Sequence, residues 1–398
     1  MIDLIQKVIM KTHASKTPLY RSRRGTFIGG RVAIIHDIFI EFGGAERTLL
    51  ALLEMYPSAD VYCPLIAKNN VLLVERYTKG KLFTSWLSYA PLAKNLSSFL
   101  KPFIFEYWEA LDLSAYHLVI SSSHSFSSKS VITGPQTRHV AYIYTPPRYL
   151  YAEYNEREFL RREPWRTLFS PLLSWLRCLD YIGAQRPDML IAISKNIQKR
   201  IRKYYRRESI VVYPPVSVSV DPIKNWRNGE YYICVSRLAK QKGTRLIIDA
   251  CNRYQLPLCV VGVGEQMKTL KRFAGPTVKF LGYVPDNKMH VVYNRARALL
   301  YCSLDEDFGI VPVEANAHGL PVVAYASGGV RETIMSGKNG ILFDTYTPRG
   351  LFESIEKLND SDITSQTCHK IAANFSQEQF MYAFARAIAP KHSAYENL

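Results

Sequence analysis

Two carboxylates eight positions apart, Glu306 and Glu314, bound the segment Glu306-Asp307-Phe308-Gly309-Ile310-Val311-Pro312-Val313-Glu314, between an apolar run ending at Tyr301 and a helical stretch over 315–318. One carboxylate on the loop and one in the first turn of the helix can each accept hydrogen bonds from vicinal hydroxyls, which sugars and riboses both supply. Phe308, Gly309, Ile310 and Val311 can offer backbone N–H groups to an anion at the helix start. Upstream, Arg237 follows the run Tyr231–Val235, and Lys242-Gly243 comes five residues later. A guanidinium and an ammonium at the carboxyl end of a strand form a clamp for a diphosphate, whose charge needs neutralising when bound and when it leaves. Such a pair also arises incidentally in a chain with 51 lysines and arginines, so the order of the elements carries more weight than the pair. The turn Gly262-Val263-Gly264-Glu265 lets backbone approach a ligand, or is a tight strand-to-helix turn. Met267 in the third glycine position argues against a dinucleotide fingerprint.

These groups need sheets to hold them. Arg31 to Ile35 reads as a strand ending in His36-Asp37, after which Gly43-Gly44-Ala45-Glu46 opens an apolar helix through Leu49, Leu50, Leu52 and Leu53. Short apolar runs recur at 118–120, 140–143, 189–193 and 210–213, and the alternation implies a parallel sheet. A polar, turn-rich stretch over 220–229 then precedes a second series, at 231–235, 258–261, 278–281, 298–301, 321–324 and 341–343. The length of 398 residues agrees with two domains of roughly 100–200 residues each. The reading is α/β: a basic leader over 1–30, a first Rossmann-like domain over 31–220, a second over 221–375, and a helical end over 376–398.

Composition limits the alternatives. A formal charge of +17 attracts polyanions of any kind, nucleic acid, anionic lipid and nucleotide phosphates included. No recognition helix, zinc finger or aromatic RNA platform accompanies the charge, so no nucleic-acid partner is expected. No run of 18 apolar residues occurs and the opening residues lack a secretory pattern, so a cytoplasmic protein is expected. Seven cysteines without a CxxC pair or a close Cys/His cluster argue against disulfides and against a zinc site. The aromatic segment 82–113 reads as core and interdomain packing, with membrane docking as the sharper alternative. A stripe of Ile197, Ile201 and Tyr204 among Lys195, Lys199, Arg200, Arg202, Lys203, Arg206 and Arg207 suits an anionic membrane surface, or equally a solvated helix face.

Taken in order, Ser236-Arg237 to Lys242-Gly243, Gly262 to Glu265, Phe280-Leu281-Gly282-Tyr283-Val284, the Glu306 to Glu314 stretch and Gly328-Gly329-Val330-Arg331-Glu332 resemble family 4 of the retaining glycosyltransferases, over about Arg31 to Arg386. The resemblance implies the GT-B fold, two Rossmann-like domains with a cleft between them. It implies that Arg237 and Lys242 bind the donor diphosphate, Glu306 contacts donor-sugar hydroxyls, Glu314 holds the ribose, and Phe308 to Val311 give backbone contacts. Gly43 and Gly44 would face the phosphates across the cleft, with Gly264 also on the donor side.

The first half resembles mannosyltransferase-like enzymes of bacterial polysaccharide and O-antigen assembly, through His36-Asp37, Gly43-Gly44-Ala45-Glu46-Arg47, residues 121–129 and Tyr144-Thr145-Pro146-Pro147-Arg148-Tyr149. It departs at Tyr144, where that branch usually has histidine; the phenol can donate one hydrogen bond but lacks comparable proton affinity. His124 in the preceding loop is the candidate substitute, and Arg148 joins it on the acceptor or sugar side. The implied activity is transfer of a hexose, mannose from GDP-mannose as the first guess, to a lipid-linked or polysaccharide acceptor at the inner face of the cytoplasmic membrane. No cofactor or metal is expected, because the cations perform the neutralisation. The alternative is a non-catalytic sugar-nucleotide-binding relative with impaired turnover.

Overall fold

The computed structural model describes residues 30–85, 88, 101–124, 127–151, 165–218 and 225–389, and Arg31–Ile388 form one compact unit. The expected basic leader lies outside the described residues. The first sheet contains β1 (Val32–His36), β2 (Asp60–Tyr62), β3 (Leu82–Phe83), β4 (Leu118–Ser123), β5 (Arg138–Ile143), β6 (Met189–Ala192) and β7 (Ile210–Val211), in the order β3-β2-β1-β4-β5-β6-β7. The second contains β8 (Tyr231–Val235), β9 (Leu258–Val261), β10 (Val278–Gly282), β11 (Ala296–Tyr301), β12 (Val322–Tyr325) and β13 (Gly340–Phe343), in the order β10-β9-β8-β11-β12-β13. Neighbouring strands are parallel in both.

The central strands of both sheets are buried on both faces, which is why they are continuous apolar runs, whereas the edge strand β10 alternates partly buried and exposed residues. In β1, Ile34 packs with Leu49 and Leu52 on one face, while Ala33 and Ile35 pack with Ile104 and Trp108 on the other. Strand order reverses between β1 and β4 and again between β8 and β11. Crevices at the carboxyl ends of such switch points are where open parallel sheets take ligands. His36 lies at one of them and the loop Ser303–Asp307 at the other.

Ile104, Phe105, Trp108 and Leu113 are buried in the core beneath the first sheet, so packing accounts for the described part of the aromatic segment; the rest lies outside the described residues. The basic helix Lys195–Tyr205 corrects one expectation. Ile197 and Ile201 are buried in the first core and Tyr204 stacks on Tyr151 at 4.4 Å between ring centroids. That stripe covers a parallel sheet and is not available to a bilayer. Among the described residues no helix is long and apolar enough to cross a membrane. The helix Gln377–Ile388 returns to the first sheet, where Phe380 and Phe384 pack on Tyr142.

Candidate functional site

Lys242 ends a short 3-10 turn after β8, and its ammonium donates to Glu306 Oε2 at 2.8 Å. Tyr301 and Ser303 donate hydroxyl protons to the same oxygen, at 2.7 and 2.6 Å. Burial alone pushes the Glu306 carboxyl up, but Lys242 and the two hydroxyls outweigh it and hold the group at about 2, so it is ionised at neutral pH. Arg237, earlier in the same loop after β8, is exposed and makes no ion pair among the described residues. A guanidinium without an ion pair in the loop that carries an occupied ammonium leaves one cation ready for an incoming anion. Gly264 packs directly on the Leu238 backbone, where a Cβ would stand 2.5 Å from the carbonyl oxygen.

The loop bearing Glu306 is held by Gly328-Gly329. Gly328 has φ +58°, a Cβ on it would stand 2.1 Å from the Glu306 carbonyl oxygen, and the Gly329 N–H donates to that oxygen at 2.7 Å. A side chain would meet rigid backbone as well as an unfavourable left-handed conformation. Gly328→Ala is therefore expected to lower the thermal midpoint by about 2–8 °C, from a cost of about 1–2 kcal/mol, and to weaken donor binding by displacing Glu306. Calorimetry paired with nucleotide titration checks both effects; an unchanged affinity would show that the glycine does not position the loop.

The next helix spans Ile310–Ala317, preceded by Gly309. It begins before the stretch assigned to it from sequence, and Glu314 consequently lies a turn inside the helix rather than at its start. Phe308 is buried and Ile310 reaches across to Gly44, where a Cβ would be 2.2 Å from Ile310 Cδ1. Glu314 accepts from Arg47 of the first half, whose other nitrogen binds Asp286 at 2.9 Å. Arg148 donates to the Asp305 carbonyl at 2.6 Å and to Asp307 at 2.7 Å, and Arg200 to Asp307 at 2.8 Å and to the Asp305 carboxylate. Ser194 adds a hydrogen bond to the Asp307 carbonyl at 2.6 Å, while Glu332 accepts the N–H groups of Lys195 and Asn196, both at 2.8 Å. Arg148, read from sequence as lying on the acceptor or sugar side, binds the acidic loop. Arg47, Arg200, Asp305 and Asp307 form an ionic seam between the halves that no local spacing announces.

On the first half, His36 Nδ1 lies 2.9 Å from Ser122 Oγ, which lies 3.0 Å from the Tyr144 hydroxyl. Tyr144 donates to the Ala45 carbonyl at 3.1 Å, and its burial pushes the phenol pKa up, so it stays neutral. The structure therefore directs the single Tyr144 proton into the wall of the crevice. His124 packs edge-on against both Tyr144 and His36, with centroids 6.1 and 5.8 Å apart. Its N–H and that of Ser128 are fixed by Asp37 at 2.6 and 2.7 Å. Burial lowers the His124 imidazole pKa. Gly43 lies against this cluster, a Cβ on it coming 3.2 Å from Glu46 Oε2.

Residues 221–375 match the family described as "Glycosyl transferases group 1". An uncharacterized glycosyltransferase of Methanocaldococcus jannaschii is 25% identical over 215 residues, 53% of this chain and 60% of the relative. A glycogen synthase of Thermus thermophilus is 33% identical over 132 residues, 31% of this chain and 30% of the relative. The matched stretches thus span less than two thirds of these curated relatives. The Anabaena protein Alr3699/HepE, solved with UDP and glucose, superposes with a TM-score of 0.65 at 19% identity, over 90% of this chain and 99% of its own. Sucrose-phosphate synthase of Thermosynechococcus elongatus gives 0.67 at 16% identity, over 90% and 98%. The two parallel sheets are those of the GT-B fold, and the half that matches the glycosyl transferases group 1 model, residues 221–375, is the one that carries Lys242, Glu306 and Glu314.

Proposed function

We propose that this protein is a retaining glycosyltransferase that moves a hexose from a nucleotide diphosphate-sugar to a lipid-linked or polysaccharide acceptor. The carrying observation is the grouping of Lys242, Glu306 and unpaired Arg237 at the β8/β11 switch point, ahead of the helix that bears Glu314. In this reading Arg237 and Lys242 hold the diphosphate, Glu306 accepts donor-sugar hydroxyls, and Glu314 exchanges Arg47 for the ribose. The bond from the anomeric carbon to the diphosphate oxygen breaks and its electron pair stays on the diphosphate. The acceptor oxygen bonds to the anomeric carbon from the same face, and its proton passes to the leaving phosphate. Fixed cations stabilise the developing charge, so the donor requires no metal.

Mannose from GDP-mannose is the first donor to test, with UDP-glucose as its rival because Alr3699/HepE has been solved with that compound. The charge of +17 favours an anionic membrane surface, at the inner face of the cytoplasmic membrane, as the place where a lipid-linked acceptor is met. Isothermal titration with GDP, UDP, dTDP and their sugar conjugates, without metal, tests the reading. One nucleotide class is expected to bind, at least tenfold more weakly in Arg237→Ala and Glu314→Ala; no binding by any would overturn it. A non-catalytic relative is the second reading, favoured by the inward hydrogen bond of Tyr144. Robust transfer by the unaltered chain excludes it, whereas turnover appearing only in Tyr144→His supports it.

A further inference from the structure

We propose that His36, Glu46 and His124 form a binding site for a transition-metal dication of the zinc class at the carboxyl end of β1. One potential ligand atom from each of the three lies within 4.8 Å of the other two. The residues come from a strand end, the first turn of the helix Gly44–Met55 and the loop after β4, so three separate elements converge on one point. His36 is 0% exposed, and its Nε2 is buried without a hydrogen bond, 3.7 Å from Glu46 Oε1.

The hydrogen bonds behind His36 determine what Nε2 offers. Tyr144 donates to the Ala45 carbonyl, which leaves its oxygen able to accept the Ser122 proton, and a Ser122 turned that way accepts from His36 Nδ1. In the tautomer that carries the proton on Nδ1, Nε2 presents its lone pair to the Glu46 carboxylate 3.7 Å away. A cation between the two satisfies the buried Nε2, which has no hydrogen bond, and meets the charge of the carboxylate. A backing hydrogen bond from the second ring nitrogen is also what orients metal-ligating histidines.

The donor set selects the ion. Two imidazoles and one carboxylate suit zinc and its first-row neighbours, whereas magnesium and calcium prefer all-oxygen shells. Ligand atoms around zinc stand roughly 3.4 Å apart for bonds of about 2.1 Å, so shifts of about an ångström bring the three together. Three such ligands leave one tetrahedral position for solvent or an acceptor hydroxyl. The site belongs to the first half and does not rest on the donor reading, whose cations lie on the second sheet.

The test is titration of the chelator-stripped, dialysed full chain with Co2+, followed by its visible absorption, with Zn2+ displacement measured calorimetrically. One equivalent of Co2+ is expected to bind, at least tenfold more weakly in His124→Ala and in Glu46→Gln. Ser122→Ala, which releases His36, is expected to lose a smaller factor, and His318→Ala, on the other half, none. His124 is on a loop and partly exposed, so its alanine variant, checked by circular dichroism, carries the test even where Glu46→Gln does not fold. Absence of stoichiometric Co2+ binding by the unaltered chain would overturn the proposal, as would binding indifferent to both ligand substitutions.

Discussion

Replacing Lys242 by alanine is expected to reduce kcat/KM for the nucleotide-sugar by about a hundredfold to a thousandfold and to destabilise the fold as well. The first effect follows from removing one of two cations proposed to meet the departing diphosphate. The second follows from Glu306, whose side chain is 18% exposed and whose nearest countercharge is this ammonium, 23% exposed. Loss of one partner of a fully buried pair costs about 3–5 kcal/mol; here residual solvent and the Tyr301 and Ser303 hydroxyls reduce that to about 1–3. The sign with pH separates the two effects. Glu306 is held at about 2 against an ordinary 4.5, so its stabilisation is complete above about pH 4.5 and is lost as pH falls toward 2. Without Lys242, burial dominates and raises the carboxyl, so stability is instead lost as pH rises through the raised value. Thermal unfolding at pH 3, 5 and 7 reads this change of slope. Lys242→Ala with Glu306→Gln is expected to regain stability at pH 7 without regaining turnover. A single variant that keeps the acid slope of the unaltered chain would show that Lys242 is not what holds Glu306 ionised.

What could be read in advance divides along physical lines. The runs that became β8, β9 and β11 were legible because burial on both faces requires uninterrupted apolar residues. Asp60–Tyr62 and Leu82–Phe83 were not, since pieces of three and two residues carry no periodicity, and β2 opens with Asp60, which binds Arg31 at 2.9 Å and the Lys81 N–H at 2.7 Å. Lys242 and Glu306 could be named because each follows a strand of recognisable pattern. Their contact depends on β8 and β11 being neighbours, which strand order alone decides. Periodicity showed that Ile197 and Ile201 share a face but not what covers it, and the first core does. Arg200 read as one more cation on a basic helix, yet it reaches Asp305 and Asp307 from more than 100 positions away. The same limit hid His36, Glu46 and His124. A search for close Cys/His spacing cannot find ligands that only a parallel sheet and a helix start bring together.

The largest loss of stability is expected from Lys129→Met. Lys129 lies in the 3-10 turn Ser128–Ser130 and Asp180 on the helix Trp165–Gln185; their side chains are each 2% exposed, with Nζ 2.5 Å from Oδ1. Asp180 also accepts from Tyr151 at 2.8 Å, and the Lys129 ammonium sits 5.3 Å from the Tyr205 ring centre. Removing the ammonium leaves a buried carboxylate with only neutral hydroxyls, Tyr151 and a long contact from Ser127 at 3.4 Å among them, a cost of about 3–5 kcal/mol, or about 6–20 °C in the thermal midpoint of the cooperative unit it belongs to. Replacing both partners by apolar residues avoids the stranded charge, so Lys129→Met with Asp180→Leu is expected to recover most of that loss. The pair then has to be explained by placement rather than stability. Ser128, the next residue back, donates its N–H to the same Asp37 carboxylate that holds the His124 N–H, so the turn and the loop share one anchor. If the ion pair sets that loop, the double variant melts near the unaltered chain yet binds cobalt more weakly. Equal melting with equal binding would leave Asp37 alone as the anchor of His124.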